Sequence, residues 1–266
     1  MKFFKYLLFF ISFIFILQSC ARKGTPGGGP KDEDAPIMVV AKPAYESLNF
    51  KGDNIRLYFD EYVVLRDLTK KLIISPPFKT PALITPQGTP SKYINIKILD
   101  TLKENTTYTF NFGDAIQDNN ENNKIENFKY VFSTGDFIDS LTLKGSVIDA
   151  LAKKKEKNYN LLLYRIDSTY NDSIIYKQKP KYITNTLDNT TTFKLENLKA
   201  GKYLMIALKE ENQDYIFQQK TDKIAFKKEF ITVPSDSVYE LNLFKEVPDF
   251  KAVRPSLISG NKIAFG

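Results

Sequence analysis

The sequence predicts an all-β chain: two consecutive β-sandwiches that follow a signal peptide and a flexible tether. Three observations carry that expectation. First, short runs rich in Ile, Val, Tyr, Phe and Thr recur from Ile37 onward, separated by Asn, Asp, Gly and Pro; such spacing reads as strands and turns. Second, several runs alternate: in Tyr93–Ile98, Ile94, Ile96 and Ile98 face one way and Asn95 and Lys97 the other, the pattern of a strand with one buried face. Third, 21 phenylalanines and 15 tyrosines suit a pleated core, where aromatic and β-branched groups pack across strands. No amphipathic helix of any length is predicted. About 247 residues follow the leader, more than one small sandwich needs, so two are expected.

The elements follow in order. Lys2 and Lys5 form a positive start, Phe3 to Leu17 is almost wholly apolar, and Leu17-Gln18-Ser19-Cys20 comes next. Charge, apolar core and a small residue before the cut describe a secretory signal over residues 1–19. The apolar run of roughly 15 residues is shorter than the about 20 that span a bilayer. Residues 20–35 are Gly- and Pro-rich and read as a tether. The first sandwich is assigned to 36–136, through Ile55–Phe59, Leu72–Ile74, Tyr93–Ile98 and Thr107–Phe112. The second is assigned to 137–246, through Leu141–Leu143, Leu161–Tyr164, Thr192–Leu195, Tyr203–Ala207 and Val238–Leu243. Residues 247–266 read as a linker and the start of a further, truncated region, ending in what looks like an unfinished strand at Lys262–Gly266.

Composition removes whole classes of chemistry. The chain has no histidine, which takes away the commonest general base, nucleophile activator and zinc ligand together. Ser-His-Asp and Cys-His catalysis and ordinary zinc clusters are excluded. Cys20 is the single cysteine, so no disulfide can form within one chain, and an unpaired thiol at that position is explained by acylation. The formal charge of +7 falls to +5 once Lys2 and Lys5 leave. The densest basic run, Lys153-Lys154-Lys155-Glu156-Lys157, reads as a solvated hairpin tip rather than a nucleic-acid patch.

Three resemblances rest on particular residues. Leu17-x-Ser19-Cys20 resembles a lipobox, with Gln18 less usual in its second position; it implies lipidation of Cys20 and stable anchoring by more than one acyl chain. Ala35-Pro36, Pro43, Ile55–Glu61, Ile73–Pro77, Leu102–Tyr108, Asn111–Gly113, Ile116–Asp118 and Phe132–Gly135 together resemble the bacterial Ig-like domain of S-layer and Bacteroidota envelope proteins. Leu143–Ala150, with its G-x-V-x-D-A pattern, and Phe193–Tyr203, with F-x4-L-x2-G-x-Y, resemble the transthyretin-like or carboxypeptidase-regulatory family of seven-stranded sandwiches. Both sandwich resemblances imply a fold, the second also implies a noncatalytic appended module, and neither implies an activity.

Candidate sites are few. Asp118, Asn120 and Asn122 have the alternating oxygen spacing of the first half of an EF-hand loop. However, Asn123 stands where glycine is required and Lys129 where the closing glutamate belongs, so turn-forming asparagines explain the run with less. Asp60-Glu61 is the close acidic pair at an expected strand end. Adjacent strand residues face opposite ways, which argues against a carboxylate hydrolase. Tyr62, Tyr170, Tyr176 and Tyr182 are the residues a carbohydrate-binding surface lipoprotein would use. The leading expectation is a noncatalytic, lipid-anchored envelope module acting as an accessory subunit of an outer-membrane complex. It would have protein partners and a membrane attachment, with no cofactor, no catalytic or metal residues, no nucleic acid and no small-molecule ligand. Ala21 after the cysteine favours outer-membrane sorting, and the late acidic run Lys31–Asp34 favours the periplasmic face over the cell surface.

Overall fold

The computed structural model describes residues 29–149, 158–186, 190–246, 256–260 and 262–264. The leader, Cys20, the run Lys153–Lys157 and the linker from Val247 to Pro255 therefore lie outside the described residues. The described chain is built almost entirely of strands in four main sheets, as the all-β expectation requires.

The first pair of sheets spans β1 (Met38–Lys42) to β8 (Phe128–Ser133). One sheet runs in the order β1, β2 (Asn54–Leu65), β5 (Ser91–Lys97), β4 (Leu83–Thr85), with β7 (Ile116–Asp118) added to the far end of β2. The other runs β3 (Ile73–Ser75), β6 (Thr107–Gly113), β8. Ile55, Leu57 and Phe59 from β2, Ile94 and Ile96 from β5, and Tyr108, Phe110 and Phe112 from β6 meet in one core. Each contributes about 1.5–3 kcal/mol by leaving water. Phe132 stacks on Tyr108 at 5.4 Å and fills the layer between the sheets.

The structure changes the reading of the acidic pair. Asp60 and Glu61 do not end a strand at the rim: β2 continues to Leu65 through an irregularity in its pairing with β5 between Tyr58 and Val63. A bulge lets a strand bend and change partners, and Val63, Val64 and Leu65 go on to pair with Asp118, Gln117 and Ile116. For the same reason the residues just ahead of the asparagine run form a strand, β7, whose three residues are all buried.

Among the described residues the second pair of sheets carries eight strands rather than seven. β12 (Thr192–Leu198), β9 (Leu141–Asp149) and β16 (Val238–Leu243) form one sheet, with β9 and β16 parallel. The other orders β11 (Tyr182–Asn185), β10 (Asn160–Arg165), β13 (Gly201–Lys209), β14 (Lys223–Phe226), and β15 (Ile231–Val233) pairs with the start of β13. Leu143, Leu161, Leu163, Phe193, Tyr203, Met205 and Leu241 lie between the sheets. Leu162, Tyr164, Ile206 and Leu208 point the other way and are buried too, beneath Ile174, Phe217 and Ile73 of β3. Burial on both faces explains why Leu161–Tyr164 is an unbroken apolar run instead of an alternating one.

Strand edges are treated unequally. In the second pair, bridges between Ile224 and Phe244 and between Thr186 and Phe193 join the two sheets at their margins. In the first pair, Glu46, Asn49 and Phe50 donate to the carbonyls of Val131, Gly135 and Ser133 and so cover the β8 edge. The β3 edge abuts the second pair, where the Ile183 amide donates to Ser75 Oγ at 3.2 Å. β1 and β4 remain at the margins of their sheet. A separate hairpin pairs β17 (Ser256–Ser259) with β18 (Lys262–Ala264), so the segment read as an unfinished strand is in fact a paired one.

Candidate interaction surfaces

The seam between the two sandwiches is polar and specific. Thr109 Oγ1 donates to Asn197 Oδ1 at 3.1 Å, and Asn197 Nδ2 donates to the Asp139 carbonyl at 2.9 Å. The Asp139 amide in turn donates to Thr107 Oγ1 at 2.8 Å. Asn197 holds this place with φ +57°, a left-handed conformation that asparagine tolerates better than most residues. Lys129 Nζ contacts Glu196 Oε2 at 2.5 Å, and Lys194 pairs with the other oxygen of the same carboxylate. Lys129, the residue standing where a calcium loop would close, is thus an inter-sandwich ion pair. Burial raises the Glu196 pKa and the two lysines outweigh it, leaving the carboxyl below its ordinary value. Residues 34–266 accordingly fall in one compact unit.

Beside these bonds lies a cleft of about 280 Å3 whose walls include Lys71, Asn111, Asn160, Asn185, Gln213 and Tyr215. At its margin Glu210 accepts hydrogen bonds from Asn160 Nδ2 at 3.0 Å and from the Tyr215 amide at 2.9 Å. Burial pushes the Glu210 carboxyl up to about 7, with Asp214 adding to the effect and the two donors opposing it. A carboxyl whose pKa is higher folded than unfolded stabilises the fold below its ordinary pKa and loses that contribution as pH rises through the folded value. Thermal stability is therefore expected to fall between pH 5 and pH 8 by about 1–2 kcal/mol, reduced from the full shift because the group is partly solvated. Asp214→Asn should shrink that slope in melts across the same pH range. An unchanged slope would remove Glu210 as its source.

The calcium candidates form a closed turn. Asp118 is 1% exposed. Its Oδ1 accepts the amides of Asn120, Glu121 and Asn122 at 2.7, 2.6 and 3.1 Å, and its Oδ2 accepts that of Asn123 at 2.6 Å. Burial raises its pKa, and the four amides more than reverse that, so it sits below its ordinary value. Asn122 adopts φ +65° to close the turn. Both carboxylate oxygens thus serve the backbone, and the loop is accounted for without an ion. Among the described residues no group of three or more His, Cys, Asp or Glu could hold a metal.

The other candidates disperse. Asp60 Oδ1 accepts the Ile37 amide at 2.8 Å, fastening the start of β1. Tyr182 is buried and its hydroxyl accepts the Lys199 amide at 3.3 Å, so it cannot be a sugar platform. Tyr170 packs edge-on against Phe230 and Tyr176 against Phe217, while Tyr62 lies beneath Lys92. Among the described residues no two of the four are in ring contact. The sequence reading missed the seam residues Asn197, Glu196 and Asp139. The one signal was Asn197 inside a strand pattern, where asparagine is disfavoured.

The first sandwich is an eight-strand pair of facing sheets with the Phe59, Tyr108 and Phe132 core and the Asn105 turn (φ +47°) ahead of β6. Residues 32–134 match the family model of a bacterial Ig-like domain. The matched residues coincide with the first pair of sheets. Among solved structures, the N-terminal part of the bacterial S-layer protein SbsC is similar, at 12% identity and TM-score 0.26, over 81% of this chain and 45% of that one. BcpA, the major pilin subunit of Bacillus cereus, is similar at 12% identity and TM-score 0.25, over 79% of this chain and 71% of that one. This chain therefore spans less than half of the S-layer structure. No curated protein matches the chain. Among the described residues no helix is long and apolar enough to cross a membrane.

Proposed function

We propose that the chain is a noncatalytic module of the bacterial envelope, held at the outer membrane by acylated Cys20 and working through protein contacts as an accessory subunit of a larger complex. The observation that carries this reading is the uneven protection of strand edges. Most margins are bridged or covered, whereas β1 follows directly on the tether and exposes Ile37, Val39 and Val40 by 64, 55 and 47%. A pairing irregularity between Met38 and Val40 turns both valines outward; bulges re-aim side chains in this way. Apolar side chains grouped on an open edge mark a place where another protein docks. The seam supports the same reading, since two modules fixed to one another present a partner with one constant surface.

Cys20→Ser is expected to move the protein from the membrane pellet to the soluble fraction. Retention of the variant in the pellet would defeat the anchor. Val39→Lys with Val40→Lys should reduce the yield of partners cross-linked in cells at least tenfold, with the melting temperature within about 2 °C of the parent because both side chains are already solvated. Unchanged cross-links would move the contact surface elsewhere.

A further inference from the structure

Four cations gather at one end of the seam, and backbone bonds and strand pairing fix each of them there. The Lys181 amide donates to the Leu163 carbonyl at 2.7 Å, which holds it beside β10. Two residues further along β10, Arg165 pairs with Tyr203. Tyr203 donates its hydroxyl to the Lys199 carbonyl at 2.9 Å, the Lys199 amide donates to Tyr182, and the two tyrosine rings lie 6.0 Å apart. Lys199 Nζ then crosses the seam to the Asn105 carbonyl. Lys103, two residues earlier, is fixed by its amide donating to Tyr108 at 2.8 Å. One sandwich thus supplies Lys103, and the other Arg165, Lys181 and Lys199.

Among the described residues the ion pairs engage Lys71, Lys97, Lys124, Lys129, Lys194 and Lys223, and none of these four. Lys181 instead faces the ring of Tyr182 at 5.7 Å. Burial pushes its pKa down to about 8, with Lys103, Lys199 and Arg165 acting in the same direction and Asp139 against them. A half-buried ammonium among like charges, with no carboxylate at ion-pair distance among the described residues, is only partly compensated. Lys129 and Lys223, also partly buried, each have a carboxylate. Four positive charges, offset by Asp139 and by Asp167 beside Arg165, leave a local excess of about two, which a dianion cancels; charge-assisted bonds to oxyanions are the strong ones.

We infer that Lys103, Arg165, Lys181 and Lys199 form a binding site for a tetrahedral oxyanion, phosphate or sulfate, free or as a monoester, and that the bound anion clasps the two sandwiches together. The point charges of three lysines suit an ion approached from several sides, and the guanidinium fork suits two of its oxygens.

The test uses the full chain, with melting curves and calorimetric titration in inorganic phosphate and sulfate against chloride at equal ionic strength. Saturable stabilisation by the dianions beyond chloride is expected. Lys181→Met should weaken binding at least tenfold while leaving the anion-free protein as stable as the parent or more so. Lys51→Met, on an exposed loop, should change nothing. Arg165→Met, at an exposed position, gives the same reading should Lys181→Met fail to fold. Glycerol 3-phosphate binding more tightly than inorganic phosphate would indicate a monoester such as a lipid headgroup; equal affinity would indicate the free ion. Dianion shifts equal to those in chloride, or undiminished in both Lys181→Met and Arg165→Met, would overturn the site.

Discussion

Gly145→Ala is expected to destabilise the second sandwich by about 3 kcal/mol or more, and Gly145→Val to prevent its folding. Overpacking of a filled core typically costs 1–3 kcal/mol and more where the backbone must move. Here a Cβ would lie 2.0 Å from the Tyr239 carbonyl oxygen and 2.6 Å from the Phe193 ring. The ring could turn, but the carbonyl belongs to the parallel pairing of β9 with β16, where Gly145 stands opposite Tyr239. Separating the two strands would also expose Leu241 and Leu243, which are core residues. Chemical denaturation of the alanine variant measures the loss. A midpoint equal to that of the parent would mean that β16 does not lie this close to β9 in solution. Phe193→Leu combined with Gly145→Ala should recover only part of the loss, because it relieves the ring and leaves the carbonyl.

Asp118→Ala is expected to cost about 3–5 kcal/mol and to loosen the Ig-like domain around residues 118–123. Removing one partner of a buried charge-assisted network leaves the others unsatisfied, and four backbone amides lose their acceptor at once. Asp118→Asn retains one acceptor oxygen and places an amide against the remaining donors, so it should fall between the parent and the alanine variant. The sign with pH is opposite to that at Glu210. A carboxyl held below its ordinary pKa contributes stability above the unfolded value and loses it as pH falls through the folded one. The parent should therefore lose stability below about pH 4, and Asp118→Ala should lose less over that interval. Hydrogen exchange at the amides of residues 120–123 reports the local effect. Calcium added to the parent should leave those amides unchanged, since both oxygens are already occupied.

Much of this architecture was legible along the chain because strands with one buried face announce themselves by alternation. Ile94, Ile96 and Ile98 were assigned to a single face, and all three are buried. Phe193 and Tyr203, singled out as inward residues of the second sandwich, lie in its core. Alternation says nothing where both faces are covered. Leu161–Tyr164 read as a strand, yet the loops above it and the reach of Ile73 across the seam could not be seen, because an unbroken apolar run does not name what covers it. Nor could the bulge in β2, which carries Asp60 and Glu61 into mid-strand: a bulge depends on which partner competes for the backbone, and β7 is about fifty residues away in sequence. The asparagine run was read correctly as turn-forming, but the burial of Asp118 beneath it was not, since a carboxylate that caps four amides has the same one-letter neighbours as one that faces water.

What the order of residues settled is therefore local: strand after strand, turn chemistry, the absence of histidine, and a lone cysteine placed behind an apolar run. These follow from side-chain periodicity and composition, which need no knowledge of what lies opposite. The seam, the bridged margins that leave β1 open, and the gathering of Lys103, Arg165, Lys181 and Lys199 follow from contacts between segments as much as 108 residues apart. Their energies depend on distance and burial in three dimensions, and no spacing along the chain encodes either.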